Sequence, residues 1–173
     1  DNGVLVFDPS LKRRRRQYLW VDRRGQPIDS LDVVVGNYNH MLSPDEKRFI
    51  ADRLDPQATL QDLWQYDASG SNPLRFTFDP ANDFSPVWAP DGSRIAFVEV
   101  GDFGVINRLM VMNADGSART AVTPEPSYQF GPTWSPDGTR LAFVRQVPGE
   151  IISTQFDMLV ANMFGVSRLY RNA

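Results

Sequence analysis

The chain has 173 residues, within the size of one ordinary domain, with 42% apolar residues and a net charge of −3. It has no cysteine, which excludes disulfides and thiolate metal or redox chemistry, and one histidine, which leaves no zinc set unless carboxylates supply the other ligands. No apolar run approaches the roughly 20 residues that cross a membrane as a helix, no stretch has a signal-peptide pattern, and the acidic balance argues against a nucleic-acid partner.

In chain order, Asp1-Asn2-Gly3 reads as a turn that leads into an apolar strand, Val4-Leu5-Val6-Phe7. The basic run Lys12-Arg13-Arg14-Arg15-Arg16 lies in the loop that follows, and Leu19-Trp20-Val21-Asp22 with Gly25 is the next strand and turn. Asn37-Tyr38-Asn39-His40 precedes the turn Ser43-Pro44-Asp45-Glu46-Lys47-Arg48. Asn82-Asp83-Phe84 precedes a strand ending Pro86-Val87-Trp88, then the turn Ala89-Pro90-Asp91-Gly92-Ser93-Arg94 and the strand through Val98. Leu109-Met110-Val111-Met112, a turn at Asn113-Ala114-Asp115-Gly116 and Arg119-Thr120-Ala121-Val122-Thr123 complete that pattern. It returns as Tyr128-Gln129-Phe130, Trp134, Ser135-Pro136-Asp137-Gly138-Thr139-Arg140 and Leu141-Ala142-Phe143. Pro suits the second position of a type I turn, Asp the third, and Gly supplies the freedom the fourth requires.

The interval is fixed. Asp45, Asp91 and Asp137 stand 46 positions apart, and Asp1 stands 44 before Asp45. Leu63 and Leu109, Thr77 and Thr123, and Trp88 and Trp134 keep the same 46. Leu159-Val160-Ala161-Asn162 with Gly165 is displaced by 49, so three residues are inserted, between Gln146 and Phe156. Such a period means stacked equivalent units. We expect units at about 1–42, 43–88, 89–134 and 135–173.

Each unit reads as four short strands, and the second of these is apolar on both faces, so a sheet is expected against each face. The predicted fold is all-β: a β-propeller of four-stranded antiparallel blades. There are four second, third and fourth strands but three first strands, because the first unit starts at its turn. We therefore expect a piece of a larger propeller, with a closed four-bladed ring as the alternative. An open arc would expose blade edges and invite self-association.

Phe84-Ser85-Pro86-Val87-Trp88-Ala89-Pro90-Asp91-Gly92-Ser93-Arg94-Ile95-Ala96-Phe97 and its copy at Gly131 to Phe143 resemble the TolB-type propeller repeat. Asn2-Gly3-Val4-Leu5-Val6-Phe7 and Gln17 to Gly25 resemble the narrower group of propellers appended to bacterial serine/threonine protein kinases. No kinase motif is present in the chain. The resemblance to TolB implies a six-bladed periplasmic propeller that binds partner proteins. Related propellers cap prolyl-oligopeptidase-type hydrolases and the tricorn protease. The compartment implied is periplasmic or extracytoplasmic, with the cytoplasm as the alternative.

His40 is the one histidine, and no Gly-x-Ser-x-Gly elbow accompanies it, so we expect no enzyme, cofactor or metal site. It reads either as structural at a channel mouth or as a ligand contact. Asn113-Ala114-Asp115-Gly116 lacks the rest of a calcium loop and its final Glu. The loops before the first strands break the repeat, and in a propeller they gather at one end of the central channel. Asn37, Tyr38, His40, Asp83, Phe84, Tyr128, Gln129 and Phe130 are therefore the candidate partner-binding residues, for a protein or peptide. The competing reading lets Phe84 and Phe130 fill the space between blades. Arg13, Arg14, Arg15 and Arg16 are candidates for an anionic contact, against a solvated loop. The loop at 101–106 offers apolar residues to a partner or a second copy. The function expected is non-catalytic binding. The alternative is the accessory or sensor propeller of a larger enzyme, a kinase or a peptidase.

Overall fold

A computed structural model describes residues 4–8, 17–31, 39–54, 60–101, 107–123, 127–146, 156–162 and 165–171. These form fifteen strands in four antiparallel sheets, with no helix among the described residues. The first sheet holds β1 (Val4–Asp8), β2 (Gln17–Val21) and β3 (Pro27–Leu31). The second holds β4 (His40–Leu42), β5 (Arg48–Leu54), β6 (Gln61–Asp67) and β7 (Leu74–Arg75). The third holds β8 (Asn82–Trp88), β9 (Arg94–Val100), β10 (Asn107–Asn113) and β11 (Thr120–Ala121). The fourth holds β12 (Gln129–Trp134), β13 (Leu141–Gln146), β14 (Phe156–Asn162) and β15 (Gly165–Arg171). Each sheet is a meander, its spatial order following the sequence. These are β-propeller blades. The first sheet has three strands, and β1 forms its edge. Each repeat read from turn to turn thus supplies strands two to four of one sheet and the first strand of the next.

The turns explain the sharp reversal between first and second strands. Gly92 N–H donates to the Ala89 carbonyl and Gly138 N–H to the Ser135 carbonyl, both at 2.9 Å. Both glycines have positive φ, 70° and 68°, the left-handed region that side chains resist. The Asp91 carboxylate accepts from Ser93 N at 3.0 Å and Ser93 Oγ at 2.7 Å. Asp137 accepts from Ser135 Oγ, Thr139 N and Thr139 Oγ1, and these bonds hold its carboxyl down at about 2.

Strand alternation then builds the core. In β9, Ile95 and Phe97 face the second sheet, packed with Ile50, Leu63 and Trp88. Ala96 between them faces the fourth sheet, with Leu141, Phe143 and Ala161. β5 does the same one blade earlier: Ile50 points forward, while Phe49 and Ala51 point back to Tyr18 and Leu31. Successive side chains of a strand point to opposite faces, so a strand apolar at every position needs a sheet on each side. Phe49 stacks on Tyr66 at 4.9 Å and meets Tyr18 edge-on at 5.4 Å. Three inter-sheet cores result, and they fix the relative placement of β4, β8 and β12.

Candidate functional site

β4, β8 and β12 are sheet-edge strands, so among the described residues one edge of each backbone has no ladder partner. β8 and β12 also break register. The ladder shifts between Phe84 and Val87, and again between Phe130 and Thr133. At each shift one residue turns left-handed, Ser85 at φ 54° and Gly131 at φ 62°. A bulge of this kind re-aims the strand. The proline that follows in each, Pro86 and Pro132, fixes its own φ and brings no N–H donor.

These segments converge. Asn39, His40 and Met41 from β4 and its approach, Ser85, Pro86 and Val87 from β8, and Gly131 and Pro132 from β12 line one groove of about 240 Å³. Position for position they are equivalents, 39, 85 and 131 and so on, which makes the groove the converging inner face of three blades. Its polar groups are held in place. Asn39 Nδ2 donates to the Asp52 carboxylate at 2.8 Å, and the Asp52 N–H donates to the Asn39 carbonyl at 3.1 Å. His40 lies edge-on to Tyr18 at 4.6 Å. Burial lowers the His40 pKa below its ordinary value of 6.5, so the ring is neutral at pH 7 and offers one donor and one acceptor. Among the described residues, the groove lining then carries no formal charge.

Of the residues expected at the site, His40 lines this groove. Asn37, Tyr38 and Arg13 to Arg16 lie outside the described residues. Phe84 and Phe130 are half-buried, and Tyr128 is 41% exposed with its ring 5.7 Å from that of Phe130. Asp83 and Gln129 are fully buried and serve the contact between blades. Gln129 Oε1 accepts from Leu109 N at 3.0 Å, and its Nε2 donates to Thr123 Oγ1 at 2.8 Å and Ser127 Oγ at 2.9 Å. Asp83 accepts from Arg119 at 3.1 Å. The same guanidinium binds Asp79 and Glu99 and lies 4.9 Å from the Phe97 ring. Burial raises the Asp83 carboxyl to about 7, against the pull of Arg119.

Sequence reasoning missed two things here. In the second sheet Asn39 and His40 of the chosen loop do line the groove, but in the third and fourth the groove residues are those just after the chosen loops, where the bulge turns them inward. The Asp79, Asp83 and Glu99 cluster, with carboxylate oxygens within 4.8 Å of one another, was also unforeseen. Its signal was available: Asp83 and Glu99 are direct cross-strand partners, and like charges so placed need a cation.

No protein-family model and no curated protein matches the sequence. Solved structures do match. A putative TolB from Agrobacterium tumefaciens superimposes with a TM-score of 0.73 at 19% identity, over 96% of this chain and 60% of that one. TolB from Acinetobacter baumannii gives 0.71 at 16% identity, over 96% of this chain and 40% of that one. The propeller domain of the trilobed protease from Pyrococcus furiosus, described as having an open velcro topology, gives 0.65 at 10% identity, over 97% and 53%. The chain therefore spans about half the length of these structures, and it carries four blades of the TolB-type β-propeller fold.

Proposed function

We propose that the chain is a non-catalytic recognition module that takes an extended, uncharged peptide segment at the mouth of the propeller channel. One observation carries this reading: three consecutive inner strands, two of them bulged at equivalent positions, place equivalent segments around one groove that the described residues line without a charge. A charged group entering it would lose hydration with no counter-charge to replace it. A peptide bond or an apolar side chain would instead meet Met41, Val87 and the two prolines, with Asn39 and neutral His40 for hydrogen bonds. The free edges of the inner strands add backbone donors and acceptors of the kind an extended peptide pairs with. The fold's likeness to TolB, at low identity, is compatible with an extracytoplasmic protein partner.

A peptide-display library selected on the immobilised chain tests this. Selected peptides should be poor in charge, and should lose binding on Val87→Trp, which fills the groove, and weaken on His40→Ala. Peptides that bind both variants as tightly as the native chain would defeat the reading.

A second reading is favoured by the match to propeller domains of peptidases, the tricorn protease and a dipeptidyl peptidase among them. There the propeller would be accessory to a catalytic domain, and the same groove would serve the passage or orientation of peptide substrate.

A further inference from the structure

Two hydrogen bonds lash the third and fourth sheets together at their turn end. Arg94, the first residue of β9, donates from Nη2 to the Gly138 carbonyl in the turn after β12 at 2.8 Å. Its guanidinium lies 4.8 Å from the Trp134 ring, and Trp134 Nε1 donates back to the Val87 carbonyl of β8 at 3.2 Å.

The second and third sheets carry the same residues at the same places and make neither bond. Arg48, Gly92 and Trp88 stand 46 positions before Arg94, Gly138 and Trp134, and Met41 stands 46 before Val87. Arg48 keeps its place beside the indole, 5.1 Å from the Trp88 ring, but its Nη1 donates back into its own sheet, to Gln65 Oε1 at 3.3 Å. Trp88 is 2% exposed, and its Nε1 has no hydrogen-bond partner among the described residues. Between the two turns, where the Arg94 bond crosses in the other seam, lies a cleft of about 330 Å³ lined by Pro44, Asp45, Arg48, Asp91 and Gly92.

Gln65 accounts for the difference. It pairs with Ile50, and its counterpart in the third sheet, Val111, pairs with Ala96. Alternation puts Gln65 on the face that carries Arg48, and Val111 on the face that carries Arg94. A glutamine carbonyl accepts from the guanidinium and holds it back; valine has no acceptor, and Arg94 turns its donors forward.

We infer that Arg48 is a strap with two positions. Drawn back on Gln65, it leaves the seam between the second and third sheets open at the turn end. Swung forward to the Gly92 carbonyl, it closes the cleft, and the Trp88 indole then reaches the Met41 carbonyl as Trp134 reaches Val87. The strap bears on the groove, because Met41 and Val87 line it from the two sides of this seam. Closure draws β4 toward β8 and narrows the groove at Met41, where the Trp88 N–H donates to the Met41 sulfur, a weak acceptor, at 3.1 Å. The strap works at the seam, whatever the groove binds.

The test is a double-mutant cycle, read by thermal midpoints, of Arg48→Leu and Gln65→Val, which gives the second sheet the residue of the third. The strap predicts that Gln65→Val raises the midpoint by about 2–4 °C when Arg48 is present, and by less when Arg48 is replaced. A plain bond between Arg48 and Gln65 predicts the opposite order, since Gln65→Val then breaks a bond only where Arg48 remains. No gain with Arg48 present, or a gain no larger than without it, overturns the inference. Should Arg48→Leu not fold, Gln65→Val is read alone by NMR. The Trp88 indole N–H signal should move downfield, toward that of Trp134, which stays in place. An unmoved Trp88 signal overturns the inference.

Discussion

Asp83 and Gln129 stand 46 residues apart at the same place in two repeats, and both are fully buried where one blade meets the next. Each follows by six residues a buried threonine, Thr77 and Thr123. In one repeat the Thr77 hydroxyl accepts from Leu63 N at 3.0 Å; in the other Gln129 itself accepts from the equivalent Leu109 N at 3.0 Å. The pair of positions satisfies a backbone N–H that neither ladder reaches. Gln129→Ala removes the acceptor of the buried Leu109 N–H, at a cost of about 1–3 kcal/mol. Urea unfolding should show a lower midpoint at unchanged slope.

The carboxylate in this position makes stability depend on pH. Asp83 titrates near 7 when folded and near 3.8 when unfolded. Between these values the folded chain holds the extra proton, so the stability that this group contributes is complete below 3.8 and is lost as pH rises through 7. The turn aspartates act in the opposite sense. Asp45, Asp91 and Asp137 are held below their ordinary value by hydrogen bonds, and their contribution is lost as pH falls through their folded pKa values. The urea midpoint should therefore peak at about pH 4–5 and decline toward pH 8. Asp83→Asn should flatten the decline. A profile flat from pH 5 to 8 in the native chain would count against the raised value.

Arg119 is the cation that lets this cluster exist. It reaches from the approach to β11 across Phe97 to Glu99 and Asp83, and on to Asp79 before β8. Arg119→Leu leaves a buried carboxylate and two partly buried ones facing each other, an arrangement that costs about 3–5 kcal/mol. The loss should be smaller at pH 5, where Asp83 is protonated, than at pH 8. Equal losses at both would show that the arginine acts by packing on Phe97 alone.

The sequence made the architecture readable because each requirement of a blade leaves a local mark. The Pro-Asp-Gly turn, the doubly apolar second strand and the constant 46-residue interval all act over a few residues and recur. The groove was harder to read, for a physical reason. At Ser85 and Gly131 the strand bulges, and a one-residue change of register exchanges inward and outward faces. Asp83 and Gln129 were expected among exposed recognition loops, because polar residues in a variable segment suggest solvent. Their partners, Arg119 and Thr123, come from other strands and become visible only when the sheets are stacked.

Ser85 is the strained member of the groove. A side chain at φ 54° costs about 1–2 kcal/mol relative to the ordinary helical or extended regions. Glycine removes that cost and adds about 0.5–1 kcal/mol of backbone entropy loss on folding. Ser85→Gly should leave stability equal or raised by up to about 1 kcal/mol. Peptides selected on the groove should tell strain from contact. Unchanged binding means that Ser85 serves through its backbone bend, and weaker binding means that its hydroxyl touches the peptide.

Glu46 offers a cleaner test of the same physics, away from the groove. It sits at φ 59°, where Gly92 and Gly138 stand at 70° and 68° in the other turns. Its N–H still donates to the Ser43 carbonyl at 2.9 Å, so the turn closes in the same way despite the side chain. Nothing but the backbone conformation separates the two residue types at this place, since the side chain is exposed. Glu46→Gly should therefore stabilise the chain, by about 0.5–1 kcal/mol after the opposing entropy term. The reverse change, Gly138→Ala, imposes the same strain where an added Cβ also meets Pro90 at 3.6 Å. It should destabilise by about 0.5–1 kcal/mol after the same entropy term. Urea midpoints that move in opposite directions for the two variants support the account. A destabilising Glu46→Gly would mean that the carboxylate, and not the bend, holds this turn.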